Sequence, residues 1–326
     1  MARLTTLEVS ENARMSLQPN DSFRPLEAAQ RSQITLNANE TPADDAQPAR
    51  RDDHPLVLIE SEASGVTLGL SDFWTYRELL YFLTWRDVKV RYKQTLMGAA
   101  WVIIQPLLTM FVVTLVFNKF GGLETREQMP YPLFAYAGLL LWTFFANAVN
   151  NSTTSLVQNT SLITKVYFPR MFIPTAAVAA GLVDFAVASV ILIGLTIYYH
   201  VALTWHLLLL PVYVLLIVLL ALAVGLLISA LTVKYRDLRH VLPFMLQFWM
   251  FASPVIYPLS KLQGSRWYWL LTANPVTGIV EGFRAALSGH AAPLAPVLVA
   301  VALTLALLIL ALHLFRRLEV TFADVI

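Results

Sequence analysis

The chain has 326 residues, of which 57% are hydrophobic and 13% carry a formal charge, with a net charge of +2. That charged fraction is about half the value usual for soluble domains, which excludes a water-soluble globule. Cysteine is absent, so neither a disulfide framework nor a thiolate metal site is available.

In chain order, residues 1–53 are rich in Arg, Asn, Gln, Asp, Pro and Ser with little apolar periodicity, and read as a disordered cytoplasmic tail. They lack the apolar core of a signal peptide. The run Pro55-Leu56-Val57-Leu58-Ile59 reads as a strand or an extended segment. Ser71 and Asp72 are good helix starters, and from Phe73 to Trp85 two stripes appear at helical spacing. One holds Phe73, Tyr76, Leu80 and Leu83; the other holds Trp74, Tyr81 and Trp85. With Arg77, Arg86, Lys89, Arg91 and Lys93 close by, they predict an amphipathic helix lying in the headgroup layer, either a platform for a partner or a plain interfacial anchor.

No Asp, Glu, Lys or Arg occurs between Lys93 and Lys119, Glu127 and Lys165, Arg239 and Lys261, or Arg284 and Arg316. Between Arg170 and Lys234 the one formal charge is Asp184, and the break from His200 to His206 divides that stretch in two. A spanning helix needs roughly 20 apolar residues. Six spans are therefore predicted: Ala99–Asn118, Leu133–Val149, Phe172–Tyr199, Leu207–Leu231, Val241–Leu259 and Leu294–Phe315. The fold class expected is an all-α integral membrane protein.

Lys and Arg concentrate beside one set of span ends, from Arg77 to Lys93, at Lys165 and Arg170, from Lys234 to Arg239, and at Arg316 and Arg317. The other set has fewer: Lys119, Arg126, Lys261, Arg266 and Arg284. The bias predicts that both termini are cytoplasmic. Between the second and third spans, Asn150–Pro169 begins polar and reads as a loop or as a short helix docking on a cytoplasmic partner. Ser260–Pro293, with Trp267, Tyr268, Trp269 and Phe283, is too apolar for a free loop. Two short re-entrant helices, an aromatic interfacial belt, or both account for it.

No Gly-x-x-x-x-Gly-Lys-Ser/Thr run, His-Glu-x-x-His pair or Gly-x-Ser-x-Gly elbow occurs, which argues against nucleotide binding and against an enzyme. No catalytic or metal-binding residue is expected. Nucleic acid is not an expected partner, since the cations flank the spans. Asp184 is the one acid within a span, either a proton or cation site or a structural carboxylate. The spans are rich in aromatics, among them Trp101, Phe111, Trp142, Phe145, Phe248, Phe251 and Tyr257, whose rings suit either sugar faces in a channel or packing against lipid.

Several local sequences occur in a fixed order around these spans. They are Tyr76-Arg77-Glu78-Leu79-Leu80, Trp85 to Thr95, Gly98 to Pro106, Thr164 to Arg170, Lys234-Tyr235-Arg236-Asp237, Ser253 to Pro258, and Asn274-Pro275 followed by Glu281-Gly282-Phe283-Arg284. In these the chain resembles, from about Phe73 to Gly289, the permease subunit of type-2 ABC transporters that export polysaccharides such as O-antigen, capsule and teichoic acid. The resemblance implies that two copies form a channel in the bacterial inner membrane and that two separate ATP-binding subunits hold the ATP and magnesium. The substrate it implies is an undecaprenyl-pyrophosphate-linked glycan. Phe73, Tyr76, Arg77, Glu78, Ser155, Asn159 and Leu162 look like ATPase contacts, and Arg86, Lys89, Arg91 and Lys93 look like a cytoplasmic gate where cations meet the pyrophosphate. Ser260–Gly289 looks like a periplasmic gate, and the seven aromatics named above look like the channel lining. The organisation expected is then a tail (1–53), an interface helix and gate (54–98), a six-span domain (99–318) and a cytoplasmic C-terminus (319–326). The alternatives are an exporter of drugs or smaller lipids, a membrane-embedded glycosyltransferase, which needs clustered carboxylates, and a proton-coupled carrier resting on Asp184.

Overall fold

Charge-free stretches of this length satisfy their backbone groups internally, so each becomes a helix. The computed structural model describes residues 74–93, 98–120, 129–166, 168–202, 204–320 and 322, and among them there are helices and no strand. The tail, the Pro55–Ile59 run, Phe73 and the last four residues lie outside the described residues. The helices are α1 (Arg77–Lys93), α2 (Gly98–Val113, continued as a π-helix over Thr114–Phe120), α3 (Tyr131–Gln158) and α4 (Thr160–Lys165). They continue with α5 (Phe172–Tyr198), α6 (Leu210–Lys234, entered through the 3-10 turn Trp205–Leu209), α7 (Leu238–Phe251), α8 (Arg266–Thr272), α9 (Pro275–Ser288) and α10 (Leu294–Glu319).

Among the described residues, five segments are long and apolar enough to cross a membrane: Ala100–Phe117, Tyr131–Gln158, Phe172–Tyr198, Trp205–Lys234 and Leu294–Glu319. The predicted fifth span differs. Its helix α7 has 14 residues, about 21 Å at 1.5 Å per residue, and stops at Phe251. Pro254 and Pro258 explain the stop, because a proline disfavours helix in the residue before it and cannot donate to the preceding turn.

Helix α3 is the axis. Its apolar window is 78% buried, against 11% for Ala100–Phe117 and 17% for the window of α10. Two apolar cores sit along it. The larger gathers Phe134, Tyr136, Phe145, Ile217, Val276 and Ile279 around its first half. The smaller joins Leu83, Leu156, Ile163, Phe172 and Phe315, knitting α1, α4 and the ends of α3, α5 and α10 into one end of the bundle, where the basic span ends gather.

At the other end the chain after α7 is irregular and buried, so its carbonyls need donors. The short helices expected here are present as α8 and α9. Asn274 caps α9 by accepting from Val276 N at 3.1 Å, and its Nδ2 donates to Ser253 Oγ at 2.7 Å. Tyr131 Oη donates to Ile256 O at 2.8 Å. Gly289 closes α9 at φ 76, a left-handed position that glycine takes without strain.

Arg284 of α9 is 1% exposed and donates to three backbone carbonyls. Nη1 reaches Pro254 O at 2.8 Å, Nη2 reaches Val255 O at 2.5 Å, and Nε reaches Phe134 O at 3.2 Å. Glu281 Oε1 lies 3.2 Å from Nη1 and balances the charge, while the guanidinium carbon stands 3.5 Å from the Phe134 ring centroid. Gly138, one turn after Phe134, leaves the room: a Cβ there would overlap both the guanidinium and Val255 O.

Removing one partner of a buried charge pair costs about 3–5 kcal/mol. Arg284→Met is therefore expected to lower stability by that order in detergent unfolding, with a smaller loss for Asn274→Ala, about 1 kcal/mol for a lost cap. An Arg284→Met protein that unfolds like the wild type overturns the assignment.

Candidate functional site

The expected partner surface lies at the end of the bundle where α1 and α4 meet. Tyr76, just before α1, packs its ring at a tilt against Phe172, the first residue of α5, with 5.9 Å between centroids, while Arg77 stands over the Trp74 ring at 5.2 Å. Glu78 is exposed beside them. Helix α3 hands over to α4 at Asn159, whose Nδ2 donates to Ser155 O at 2.8 Å. Ser155 itself is buried, its hydroxyl donating to Ser152 O at 2.7 Å, so its side chain presents nothing to a partner. Leu162 is half-buried against the smaller core. The outward face of this segment is instead Gln158, Ser161, Thr164 and Lys165. The segment returns to the bundle at Arg170, whose backbone N–H and Nη1 each donate to Glu319 at 2.8 Å, to its carboxylate and its carbonyl respectively.

The expected gate residues divide. Arg86 is engaged locally by Asp87 at 2.8 Å, and Lys89 and Lys93 are exposed. Arg91 is paired with Asp184, and Tyr92 Oη donates to the same carboxylate. Asp184 lies twelve residues into α5, about 18 Å along it. With Tyr76 against Phe172 at one end and Arg91 against Asp184 at the other, α1 runs beside the first half of a spanning helix. The Trp74, Tyr81 and Trp85 stripe is exposed, as its spacing suggests.

Asp184 is thus part of a three-residue tie. Burial, then the hydrogen bond to Asp184, push the Tyr92 hydroxyl up to about 12. Its contribution to stability is full below its ordinary value of 10.0 and is lost as pH rises through about 12, so at neutral pH Tyr92 is a donor.

Beside this tie a cavity of about 550 Å³ opens between α2, α3 and α5, with Arg91, Asp184 and Trp101 on its wall. Of the other expected channel aromatics, Trp142 and Phe145 are buried inside the chain, packed against Trp249 at 6.4 and 5.3 Å between ring centroids. They line no surface of this chain, and their role is to fill the main core. Phe111 of α2 and Phe248 and Phe251 of α7 are exposed. Tyr257 lines a second cavity, of about 670 Å³, with Trp249 and Trp267. Arg284 is not a loop cation, because it is buried, so the set of span ends opposite the basic end is poorer in cations than the sequence indicates. Asn147, Asn151 and Gln105 on the wall of the first cavity were not singled out from sequence; polar carboxamides inside charge-free spans were the signal.

The tie has a testable consequence. Asp184→Asn keeps an acceptor and is expected to retain transport, whereas Asp184→Leu removes the acceptor that Arg91 and Tyr92 share and costs about 1–3 kcal/mol in detergent unfolding. Loss of transport by a well-folded Asp184→Asn protein overturns the structural role.

Residues 78–288 match the family model described as ABC-2 type transporter. The chain is 33% identical over 256 residues to the O-antigen export system permease protein RfbA of Myxococcus xanthus, covering 78% of this chain and 97% of that one. A Klebsiella pneumoniae O-antigen export system permease protein RfbA is 29% identical over 210 residues, 64% of this chain and 79% of the relative. The polysialic acid transport protein KpsM of Escherichia coli is 24% identical over 213 residues, 62% of this chain and 78% of the relative. The match starts in α1 and ends in α9, so it takes in the tie and the buried Arg284 cluster alike, and the chain belongs to the ABC-2 type transporter family.

Proposed function

We propose that this chain is the membrane channel subunit of an ATP-driven exporter that moves a lipid-linked polysaccharide, O-antigen-like or capsular, across the bacterial inner membrane. The observation that carries the reading is the extent of the relationship to an O-antigen export permease, 97% of whose length this chain covers. The chain has no phosphate loop, so ATP and magnesium belong to two partner subunits. The basic end of the bundle is cytoplasmic by charge bias, with both termini on that side. The partners dock there, on the outward face of α4 and the Tyr76–Glu78 start of α1.

A second copy completes the conduit. Helices α2 and α7 leave Trp101, Phe111, Phe248 and Phe251 uncovered, a wall suited to sugar faces. Lys89 and Lys93, exposed on α1, meet the pyrophosphate of an undecaprenyl-linked glycan. The irregular segment after α7, with α8 and α9, forms the periplasmic gate and enters the outer leaflet. Closure of the ATPases on α4 moves the basic end, and the Arg91–Asp184 tie carries the movement from α1 to α5.

Deletion of the gene is expected to abolish surface glycan and to leave glycan in the cytoplasm, read by immunoblot of intact and lysed cells. Unchanged surface glycan with another substrate retained overturns the reading. Lys165→Glu on the face of α4 is expected to reduce copurification of the ATPase while leaving the purified chain as stable as the wild type; an unchanged ATPase yield moves the docking surface elsewhere.

A further inference from the structure

The walls of the cavity between α2, α3 and α5 divide by chemistry. Trp101, Phe144 and Phe185 supply aromatic faces, while Gln105 of α2 and Asn147 and Asn151 of α3 supply carboxamides. Asn147 and Asn151 are four residues apart and stand in one row on α3, with Thr143 one turn before them. Among the described residues, none of the three carboxamide groups makes a hydrogen bond to another protein group. All three nevertheless belong to segments apolar enough to cross a membrane. Gln105 and Asn147 are exposed and Asn151 is half-buried, so the three carboxamides are open to contents of the cavity that both donate and accept hydrogen bonds.

The charge of those contents follows from the remaining wall. Its formal charges are Arg91 and Asp184, which are paired, so the lining is neutral. A phosphate here would meet the Asp184 carboxylate and find Arg91 already engaged; a cation would meet Arg91. A sugar ring meets neither objection. Its hydroxyls exchange hydrogen bonds with carboxamides, which both donate and accept, and its C–H face lies on an aromatic ring. The volume of about 550 Å³ falls within the range of small-ligand sites.

We infer that this cavity is a sugar-binding site, and, resting on the export reading above, that it takes the glycan residue next to the lipid pyrophosphate. Arg91 closes one part of its wall from the same helix that exposes Lys89 and Lys93, so one element would address pyrophosphate and first sugar together.

The test uses the full chain with its ATPase in lipid nanodiscs and three probes: a polyprenyl pyrophosphate bearing one sugar, the same lipid bearing none, and a neutral monoglucosyl diacylglycerol. The wild type is expected to bind the sugar-bearing pyrophosphate about tenfold tighter than the bare one, a difference of one or two hydrogen bonds. The double variant Asn147→Leu/Asn151→Leu is expected to lose that preference with its affinity for the bare lipid unchanged, while Asn147→Gln/Asn151→Gln keeps most of it. If the leucine pair fails to assemble with the ATPase, Gln105→Leu on the exposed α2 reads the same site. Equal binding of both pyrophosphates by the wild type, or a preference that survives the substitutions, overturns the cavity assignment and leaves the export reading intact. Binding of the glycolipid alone, abolished by the leucine pair, keeps the sugar site but assigns it to a membrane glycolipid, and then the export reading fails.

Discussion

The buried guanidinium of Arg284 sets the architecture of one whole end of the molecule. Where α7 stops, the chain turns through Ser253, Pro254 and Val255 inside the protein, and the carbonyls of Pro254 and Val255 have no water to turn to. Arginine presents five donors in a fixed fork, which is why one side chain serves Pro254, Val255 and Phe134 at once. The charge so buried is tolerable because Glu281 stands one turn away on the same helix. Everything else there follows: α9 must lie across the broken segment, Gly138 must lack a side chain, and Asn274 must hold α7 and α9 together through Trp249 and Ser253.

The other end uses the same device with different residues. Arg170 grips the end of α10 through Glu319, and Arg91 with Tyr92 grips Asp184. In lipid, one apolar surface is as good as another, so oily contact does not choose which helices pack together. Polar ties and small residues do, and here they mark where α1, α5 and α10 belong. The apolar middle is filled by rings such as Trp142, Phe145 and Trp249, whose interlocking holds α3 against α7.

Apart from these ties the chain leaves three things uncommitted: the aromatic faces of α2 and α7, the outward face of α4, and a neutral cavity walled by carboxamides. A rigid bundle that keeps polar or aromatic surface without an internal partner is arranged around something outside itself. A second copy, an ATPase and a glycan are the three occupants proposed for those three surfaces.

The membrane class, five of the spans, the helix before the first span and the two short helices before the last were all legible in the sequence, because hydropathy and helical spacing are properties of neighbours along the chain. The prolines that end α7 were also in view, although the span through Val241–Leu259 was drawn across them. The roles of individual side chains were not legible. Ser155 falls in a stretch that reads as a polar loop, and only the continuation of α3 to Gln158 turns its side chain inward. Arg284 counts as a loop cation until the fold places it 150 residues away, against the carbonyl of Phe134. Asp184 stands alone within its span until Arg91, 93 residues earlier, is brought beside it. Sequence alone determined where the chain meets lipid, since that depends on local composition. Which charges are spent inside the protein and which remain for partners was decided only by tertiary structure, because a charge is neutralised by whatever lies next to it in space.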